Sequence, residues 1–168
     1  MILIEGENGS GKSTCAEKMI AGMTGRRYYL ATMIPCGKEG EEKVKKHKDM
    51  RKDLHFETCE VPYEVGNVPV EKNSVVLLED VSNLLANVLF EKKGNGMSVM
   101  EDIKRLSRKC AVLIVISISG LKEGGYEGET KEYVRELNAL NENLRQEADT
   151  VIRMCRGIPE VRKGEKCT

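Results

Sequence analysis

The fold of this chain is constrained most by a glycine-rich segment of eight residues near its start, Gly6-Glu7-Asn8-Gly9-Ser10-Gly11-Lys12-Ser13. Residues 1–4 before it form a short apolar run that predicts a buried strand, and residues 13–20 after it predict a helix. A strand, a glycine-rich loop, a Lys-Ser pair and a helix in this order form the Walker A phosphate-binding motif. The segment therefore predicts an α/β fold that binds a nucleoside triphosphate, either GTP or ATP.

The motif assigns chemistry to particular groups. Its glycines allow successive backbone N–H groups to turn inward around a phosphate, and the helix N-terminus adds partial positive charge. Lys12 is expected to place its ammonium on the β- and γ-phosphates, and the Ser13 hydroxyl is expected to bind Mg²⁺. The predicted nucleotide-binding set combines the loop with nearby polar residues: Gly6, Glu7, Asn8, Gly9, Ser10, Gly11, Lys12, Ser13, Thr14, Arg51 and Glu79.

Short apolar runs alternate with longer amphipathic stretches along the rest of the chain. The runs predict strands at residues 2–4, 27–31, 53–58, 74–79, 111–118 and 151–154. The amphipathic or charged stretches predict helices at residues 40–51, 81–92, 98–110 and 130–147. Continuous apolar strands that alternate with helices predict a mainly parallel sheet with helices on both faces, in a P-loop NTPase-like three-layer α/β fold. Residues 1–168 are predicted to form a single nucleotide-binding domain.

Composition limits the class of partner. The chain has 27 acidic and 27 basic side chains, and this balance argues against nucleic acid as the main partner, since such a surface needs an excess of Lys and Arg. No apolar run is long enough to predict a membrane span, and no signal peptide is expected. The six cysteines match no zinc-ligand spacing, and a cytoplasmic location is expected. Three of them, Cys15, Cys110 and Cys155, lie in apolar patterns that predict small core residues.

Two acidic residues follow an apolar strand, as in the Walker B arrangement. Glu79 and Asp80 end the run of residues 75–78, and an acid at this position beside a phosphate loop holds Mg²⁺ directly or through water. Glu79 is therefore predicted to bind metal or nucleotide. Asp80 has two interpretations of equal weight, a share in the metal site or the N-cap of the next helix.

The two histidines have different surroundings. His47 lies among Lys and Arg side chains, and on a helix it shares a face with Arg51, four residues later. Neighbouring cations favour the neutral, nucleophilic imidazole and can also bind phosphates. The alternative from composition alone is a solvated basic helix face. His55 lies in a predicted strand and is expected to be structural.

At these residues the sequence resembles the bifunctional adenosylcobinamide kinase / adenosylcobinamide-phosphate guanylyltransferase family of cobalamin biosynthesis. The most discriminating part of the resemblance is Lys46-His47-Lys48-Asp49-Met50-Arg51, which is similar to a His-His-Lys-Asp-x-Arg segment that generic P-loop proteins lack. The other similar segments are spread over most of the chain, at residues 1–13, 29–32, 76–90, 140–141, 148–151 and 156–159.

The resemblance implies a role for His47 and an oligomeric state. In this family the second histidine of that segment takes GMP covalently from GTP and passes it to adenosylcobinamide phosphate, which makes His47 and Lys12 the expected catalytic residues. Expected cofactor and partners are Mg²⁺, a nucleotide and a corrinoid substrate, in a homo-oligomer. The chain departs from the family pattern at Gly9, where an arginine is usual, at Lys46, where the first histidine stands, and at Ser117, near which the family has an acid.

Three classes of function remain open at this stage. The first is the nucleotidyltransferase and kinase that the resemblance implies. The second is another small-molecule kinase, which would use Lys12, Ser13 and Glu79 for phosphoryl transfer while His47 takes no part. The third is a P-loop module that binds nucleotide without turnover and regulates a partner.

Overall fold

A seven-stranded sheet forms the centre of the protein. The computed structural model describes residues 1–34, 52–92 and 94–164. The strands, in chain order, are β1 Ile2–Gly6, β2 Arg27–Ala31, β3 Glu57–Glu60, β4 Val75–Glu79, β5 Val112–Ile118, β6 Thr150–Cys155 and β7 Ile158–Lys163. The α-helices of the described residues are α1 Lys12–Ala21, α2 Val81–Glu91, α3 Gly96–Ser107 and α4 Gly128–Glu147.

The sheet has the order β3-β2-β4-β5-β1-β6-β7, and only β7 runs antiparallel to its neighbour. Side chains of alternate sheet residues fill two apolar layers. Leu3 lies in the layer shared with α2, α3 and α4, whereas Ile4 lies in the layer shared with α1. Helices therefore cover both faces, and the predicted three-layer α/β fold with a mainly parallel sheet is confirmed.

Two predictions about strands are wrong. Residues 53–58 do not form one strand, because Lys52–Leu54 is a 3-10 helix and β3 begins only at Glu57. His55 lies between them with a φ of 52°, a left-handed conformation that does not occur in strands. The last predicted strand is residues 151–154, but a further strand, β7, follows it at Ile158–Lys163, since an exposed edge strand needs no continuous apolar run. The predicted helix at residues 40–51 lies outside the described residues.

Two of the predicted helices, α2 and α3, begin at side-chain caps. Asp80 caps α2 by accepting a hydrogen bond from the Asn83 N–H at 2.7 Å. Asn95 caps α3 and forms a reciprocal capping box with Ser98, which moves the start of that helix two residues before the predicted residue 98. Caps of this kind satisfy N–H groups that have no partner within the helix.

The described cysteines, Cys15, Cys59, Cys110 and Cys155, form no disulfide, and Cys155 is exposed rather than a core residue as predicted. Its apolar neighbours on β6 are buried, but Cys155 is the last residue of that strand and lies outside the core. Within residues 1–34, 52–92 and 94–164, no group of three His, Cys, Asp or Glu side chains is arranged to hold a metal ion. None of the described helices combines the length and apolarity needed to cross a membrane.

Helix α4 is joined to the carboxyl end of the sheet by buried polar groups. The Ser117 hydroxyl donates to Asn141 Oδ1 at 2.6 Å, and Asn141 Nδ2 donates to the Ile118 carbonyl at 2.8 Å. Next to them, Arg145 makes two hydrogen bonds to the carboxylate of Glu5, at 3.0 and 2.7 Å. Because Glu5 immediately precedes the glycine-rich loop, these contacts hold the base of that loop against α4.

Replacing Arg145 with alanine should lower the free energy of unfolding by about 3 kcal/mol, because it leaves the carboxylate of Glu5 charged, buried and unpaired. Glu5 has only 6% of its side chain exposed, whereas Arg145 has 35%. Thermal unfolding measures the change, expected as a fall in Tm of about 6–12 °C. The control is Glu142→Ala, which removes an exposed partner of the same arginine and should cost less than about 1 kcal/mol. Equal effects of the two variants would show that the buried pair has no special weight.

Candidate active site

The glycine-rich loop leaves the carboxyl end of β1 and ends at the N-terminus of α1. Gly11 has a φ of 90°, a left-handed value that favours glycine, and it precedes the first residue of α1. Gly6 has no room for a side chain, since an added Cβ would lie 2.6 Å from the Met154 carbonyl oxygen. The backbone therefore turns tightly where the loop connects β1 to α1.

Lys12 lies over the loop rather than in solvent. Its Nζ donates to the carbonyl oxygens of Gly6 at 3.2 Å and Glu7 at 2.7 Å. Burial lowers the pKa of Lys12, while the nearby carboxylates of Asp80 and Glu79 act in the opposite direction. An ammonium held by two carbonyl oxygens can turn to a phosphate without leaving the site.

The Ser10 hydroxyl is a second group of the loop that fits a bound phosphate. Its oxygen is buried, and among the described residues it has no hydrogen-bond partner. A buried hydroxyl without a partner is costly unless a ligand supplies one. Since Ser10 belongs to the loop that would surround a phosphate, a phosphate oxygen fits this need.

Ser13 and Glu79 meet at the edge of the loop, as the Walker motifs predict. The Ser13 hydroxyl donates to Glu79 Oε1 at 2.5 Å, and the Tyr29 hydroxyl donates to Glu79 Oε2 at 3.0 Å. Hydroxyl and carboxylate oxygens are the ligands that Mg²⁺ takes in nucleotide sites, so this pair fits the ion. Tyr29 was missed as a site residue because an aromatic side chain within an apolar run has the pattern of a core residue.

Of the two interpretations of Asp80, the helix cap is observed, because its side chain accepts from the Asn83 N–H at the start of α2. Its backbone also exchanges two hydrogen bonds with the Thr32 hydroxyl, each at 2.8 Å. Burial raises the pKa of Asp80 above the ordinary aspartate value, and Glu79 adds to this, whereas the Asn83 N–H and Lys12 lower it. Asp80 therefore lies next to the Ser13–Glu79 pair, and its carboxylate accepts a hydrogen bond from the first turn of α2.

Replacing Asp80 with asparagine should raise stability at pH 7, because the cap is kept and the cost of a buried charge is removed. The folded-state pKa lies above the unfolded one, so the stabilisation by protonated Asp80 is fully present below about pH 4 and is lost as pH rises through the folded value. The advantage of the variant should therefore vanish in acid. Thermal unfolding between pH 3 and 8 measures it.

The matched variant Asp80→Ala loses the cap and should be less stable by about 1 kcal/mol. If Asp80→Asn instead leaves stability unchanged and weakens Mg²⁺-dependent GTP binding, Asp80 acts on the metal and not mainly as a cap.

Asn87 has a contact that the sequence pattern did not indicate. Its Nδ2 donates to the Thr32 carbonyl at 2.8 Å and to the Pro62 carbonyl at 3.1 Å. Thr32 follows β2 and Pro62 follows β3, so one amide joins the two ends of the stretch of sequence that contains His47. A polar residue near the end of an apolar helix gave no signal of this, since both of its partners are main-chain atoms.

The structure brings together a subset of the predicted residues. Lys12, Ser13, Glu79 and Asp80 surround the same loop, and Gly6, Glu7, Ser10 and Gly11 form it. Asn8, Gly9 and Thr14 are exposed on its outer side or in the first turn of α1. His47 and Arg51 lie outside the described residues.

Two solved structures share the architecture. One, titled as a structural and biochemical analysis of a prototypical ATPase from the type III secretion system of pathogenic bacteria, matches with a TM-score of 0.52 and 16% identity over 92% of this chain and 51% of its own. The other, a structural study of PH0250 from Pyrococcus horikoshii OT3, matches with a TM-score of 0.56 and 8% identity over 99% of this chain and 87% of its own. At these identities the likeness shows the fold alone.

Sequence comparison is more specific. The bifunctional adenosylcobalamin biosynthesis protein CobU of Escherichia coli (strain K12) is 34% identical over 98 residues, which are 56% of this chain. The match spans about half the length of that relative, 53%. A family model described as cobinamide kinase / cobinamide phosphate guanyltransferase matches residues 2–161. The chain, with its phosphate loop, its Ser13–Glu79 pair and this match over nearly its whole length, belongs to the cobinamide kinase / cobinamide phosphate guanyltransferase family.

Proposed function

We propose that the protein is an enzyme of cobalamin biosynthesis that phosphorylates adenosylcobinamide and transfers GMP from GTP to adenosylcobinamide phosphate through a guanylyl-histidine at His47. The family supports both activities, and the resemblance further supports a homo-oligomer. The observation that carries the proposal for the described residues is the phosphate loop, in which Lys12, the unpartnered Ser10 hydroxyl and the Ser13–Glu79 pair converge.

The guanylyl transfer would proceed in two steps at one phosphorus atom. A neutral imidazole nitrogen of His47 attacks the α-phosphorus of GTP, the bond to the bridging oxygen breaks, and pyrophosphate leaves. A phosphate oxygen of adenosylcobinamide phosphate then attacks the same phosphorus, the P–N bond breaks, and the imidazole is regenerated. The loop N–H groups and the Lys12 ammonium stabilise the charge that develops on the leaving pyrophosphate.

Kinase chemistry would use the same loop with a different acceptor. A hydroxyl of adenosylcobinamide attacks the γ-phosphorus of the nucleotide, and the nucleoside diphosphate leaves. Bound by Ser13 and Glu79, Mg²⁺ would neutralise phosphate charge. Tyr29 donates to the other oxygen of Glu79 and so holds its carboxylate toward Ser13.

A second candidate is a small-molecule kinase without a covalent intermediate. The close contact between Ser13 and Glu79 favours it, because that pair and Lys12 are sufficient for ordinary phosphoryl transfer. Such an enzyme would transfer the γ-phosphoryl group of the nucleotide and never carry GMP.

Labelling of the wild-type protein separates these functions. The protein is incubated with Mg²⁺ and either α-³²P-GTP or γ-³²P-GTP and then run on a denaturing gel. Label from the α-position alone, labile in acid, stable in alkali and discharged by adenosylcobinamide phosphate, is the expected result. Absence of covalent label despite measured GTP binding would overturn the guanylyltransferase and leave the simple kinase.

A further inference from the structure

The turn between β6 and β7 packs against the phosphate loop. The Gly157 N–H donates to the Ser10 carbonyl at 3.2 Å. A Cβ added to Gly11 would lie 3.6 Å from the Gly157 Cα and 3.7 Å from the Met154 Cε. Gly157 of the turn and Met154 of β6 therefore lie next to the end of the loop, where α1 begins.

The conformation of this turn does not suit one of its residues. Cys155 pairs with Ile158, which leaves Arg156-Gly157 as a two-residue connection. Both residues have positive φ, 49° for Arg156 and 83° for Gly157, as in a type I′ turn. Such turns strongly prefer Asn-Gly or Asp-Gly, because Asn, Asp and Gly tolerate the left-handed region. Arginine has no such advantage, so its presence next to a ligand loop suggests a role for its side chain.

Strand order determines which part of a nucleotide faces the turn. From β1, the sheet continues through β5 to β4, which ends at Glu79, and in the other direction through β6 to β7. An Mg²⁺ held by Ser13 and Glu79 would neutralise charge on the terminal phosphates, which would place that end of a bound nucleotide on the Glu79 side of the loop. The nucleoside end must then leave the loop on the opposite side, toward the turn that contains Arg156.

We propose that Arg156 binds the purine base of the nucleotide held by the phosphate loop. This inference rests on the proposed nucleotide-dependent function and adds to it a residue that would contact the base. The Arg156 side chain is exposed, and a guanidinium is planar, permanently charged and able both to stack on a purine and to donate to its edge. The hydrogen bond from the Gly157 N–H to the Ser10 carbonyl holds the backbone of the turn against the loop, one residue away from Arg156.

The decisive variant is Arg156→Asn, because asparagine suits the left-handed turn while it lacks the guanidinium. Isothermal titration calorimetry with Mg²⁺ measures binding of GTP and, separately, of inorganic tripolyphosphate, which has no base. We expect the Kd for GTP to rise about tenfold, a value within the range for loss of one stacked base. The Kd for tripolyphosphate should stay unchanged, and the Tm should be equal or higher.

The matched control is Arg162→Asn, which removes the same charge from the same hairpin near the other end of β7, where Arg162 contacts Glu160. It should leave both affinities unchanged. Unaltered GTP binding by Arg156→Asn, or an equal loss for tripolyphosphate, would overturn the base contact. A wild-type protein that binds no GTP would overturn the nucleotide function and the contact together, whereas bound GTP without covalent label would overturn only the guanylyltransferase.

Discussion

The variant His47→Ala should take up no label from α-³²P-GTP, because the nitrogen that would form the bond to phosphorus is absent. Guanylyl transfer to adenosylcobinamide phosphate should fall by at least about a thousandfold, as expected when a covalent nucleophile is removed. Binding of GTP should change little, since the phosphate loop is untouched. Gel autoradiography measures the covalent step, and chromatography of the corrinoid product measures the transfer.

The matched control for His47 is the other histidine of the chain. His55 has a φ of 52°, so the control is His55→Asn, because asparagine tolerates the left-handed conformation better than alanine. That variant should be labelled like the wild-type protein. Full labelling of His47→Ala would show that another residue carries GMP, and loss of labelling in both variants would point to a general effect on the fold.

The variant Lys12→Ala should lower the rates of both GMP transfer and phosphoryl transfer by about 100- to 1,000-fold, the usual cost of removing one group that stabilises transition-state charge. The carbonyl oxygens of Gly6 and Glu7 hold its ammonium over the loop, where the phosphates would lie. Steady-state kinetics should show the loss mainly in kcat, because the charge that Lys12 stabilises grows as the reaction proceeds.

A matched control on the same helix is Lys18→Ala, since Lys18 is exposed in the last turn of α1. It should retain wild-type rates.

The lowered pKa of Lys12 has a further consequence, because the ammonium loses its proton at a lower pH than an ordinary lysine. The affinity for GTP should therefore begin to fall at a pH below the ordinary lysine pKa of about 10.4. The variant Lys12→Ala should not show this pH dependence. The same fall in GTP affinity at alkaline pH in Lys12→Ala would show that another group causes it.

The central fold and the loop were predictable from the sequence because both depend on local patterns. The apolar run before Gly6 and the helix after Lys12 specify strand, loop and helix within twenty residues. The continuous apolar run of β5 indicated a strand buried on both faces. Glu79 was predicted for the same reason, since a buried strand that ends in an acid places that acid at the carboxyl edge of the sheet.

Features that depend on distant or main-chain partners were not predictable. Strand β7 has no continuous apolar run, and its existence depends on pairing with β6 through a two-residue turn rather than on its own apolar content. His55 follows a 3-10 helix, and the spacing of apolar residues over so few positions does not distinguish such a short helix from a strand. The cap formed by Asp80 depends on the N–H of Asn83, a main-chain donor that every sequence has.

The contact of Asn87 with two carbonyl groups bears on how this family can vary. The Asn87 amide donates to the main chain at Thr32 and at Pro62, and so holds these two points of the chain at a fixed distance. The entropy of closing a loop grows slowly, by about 0.6 kcal/mol for each doubling of its length. Insertions and deletions between these two points, outside β3, should therefore be inexpensive as long as the amide is kept.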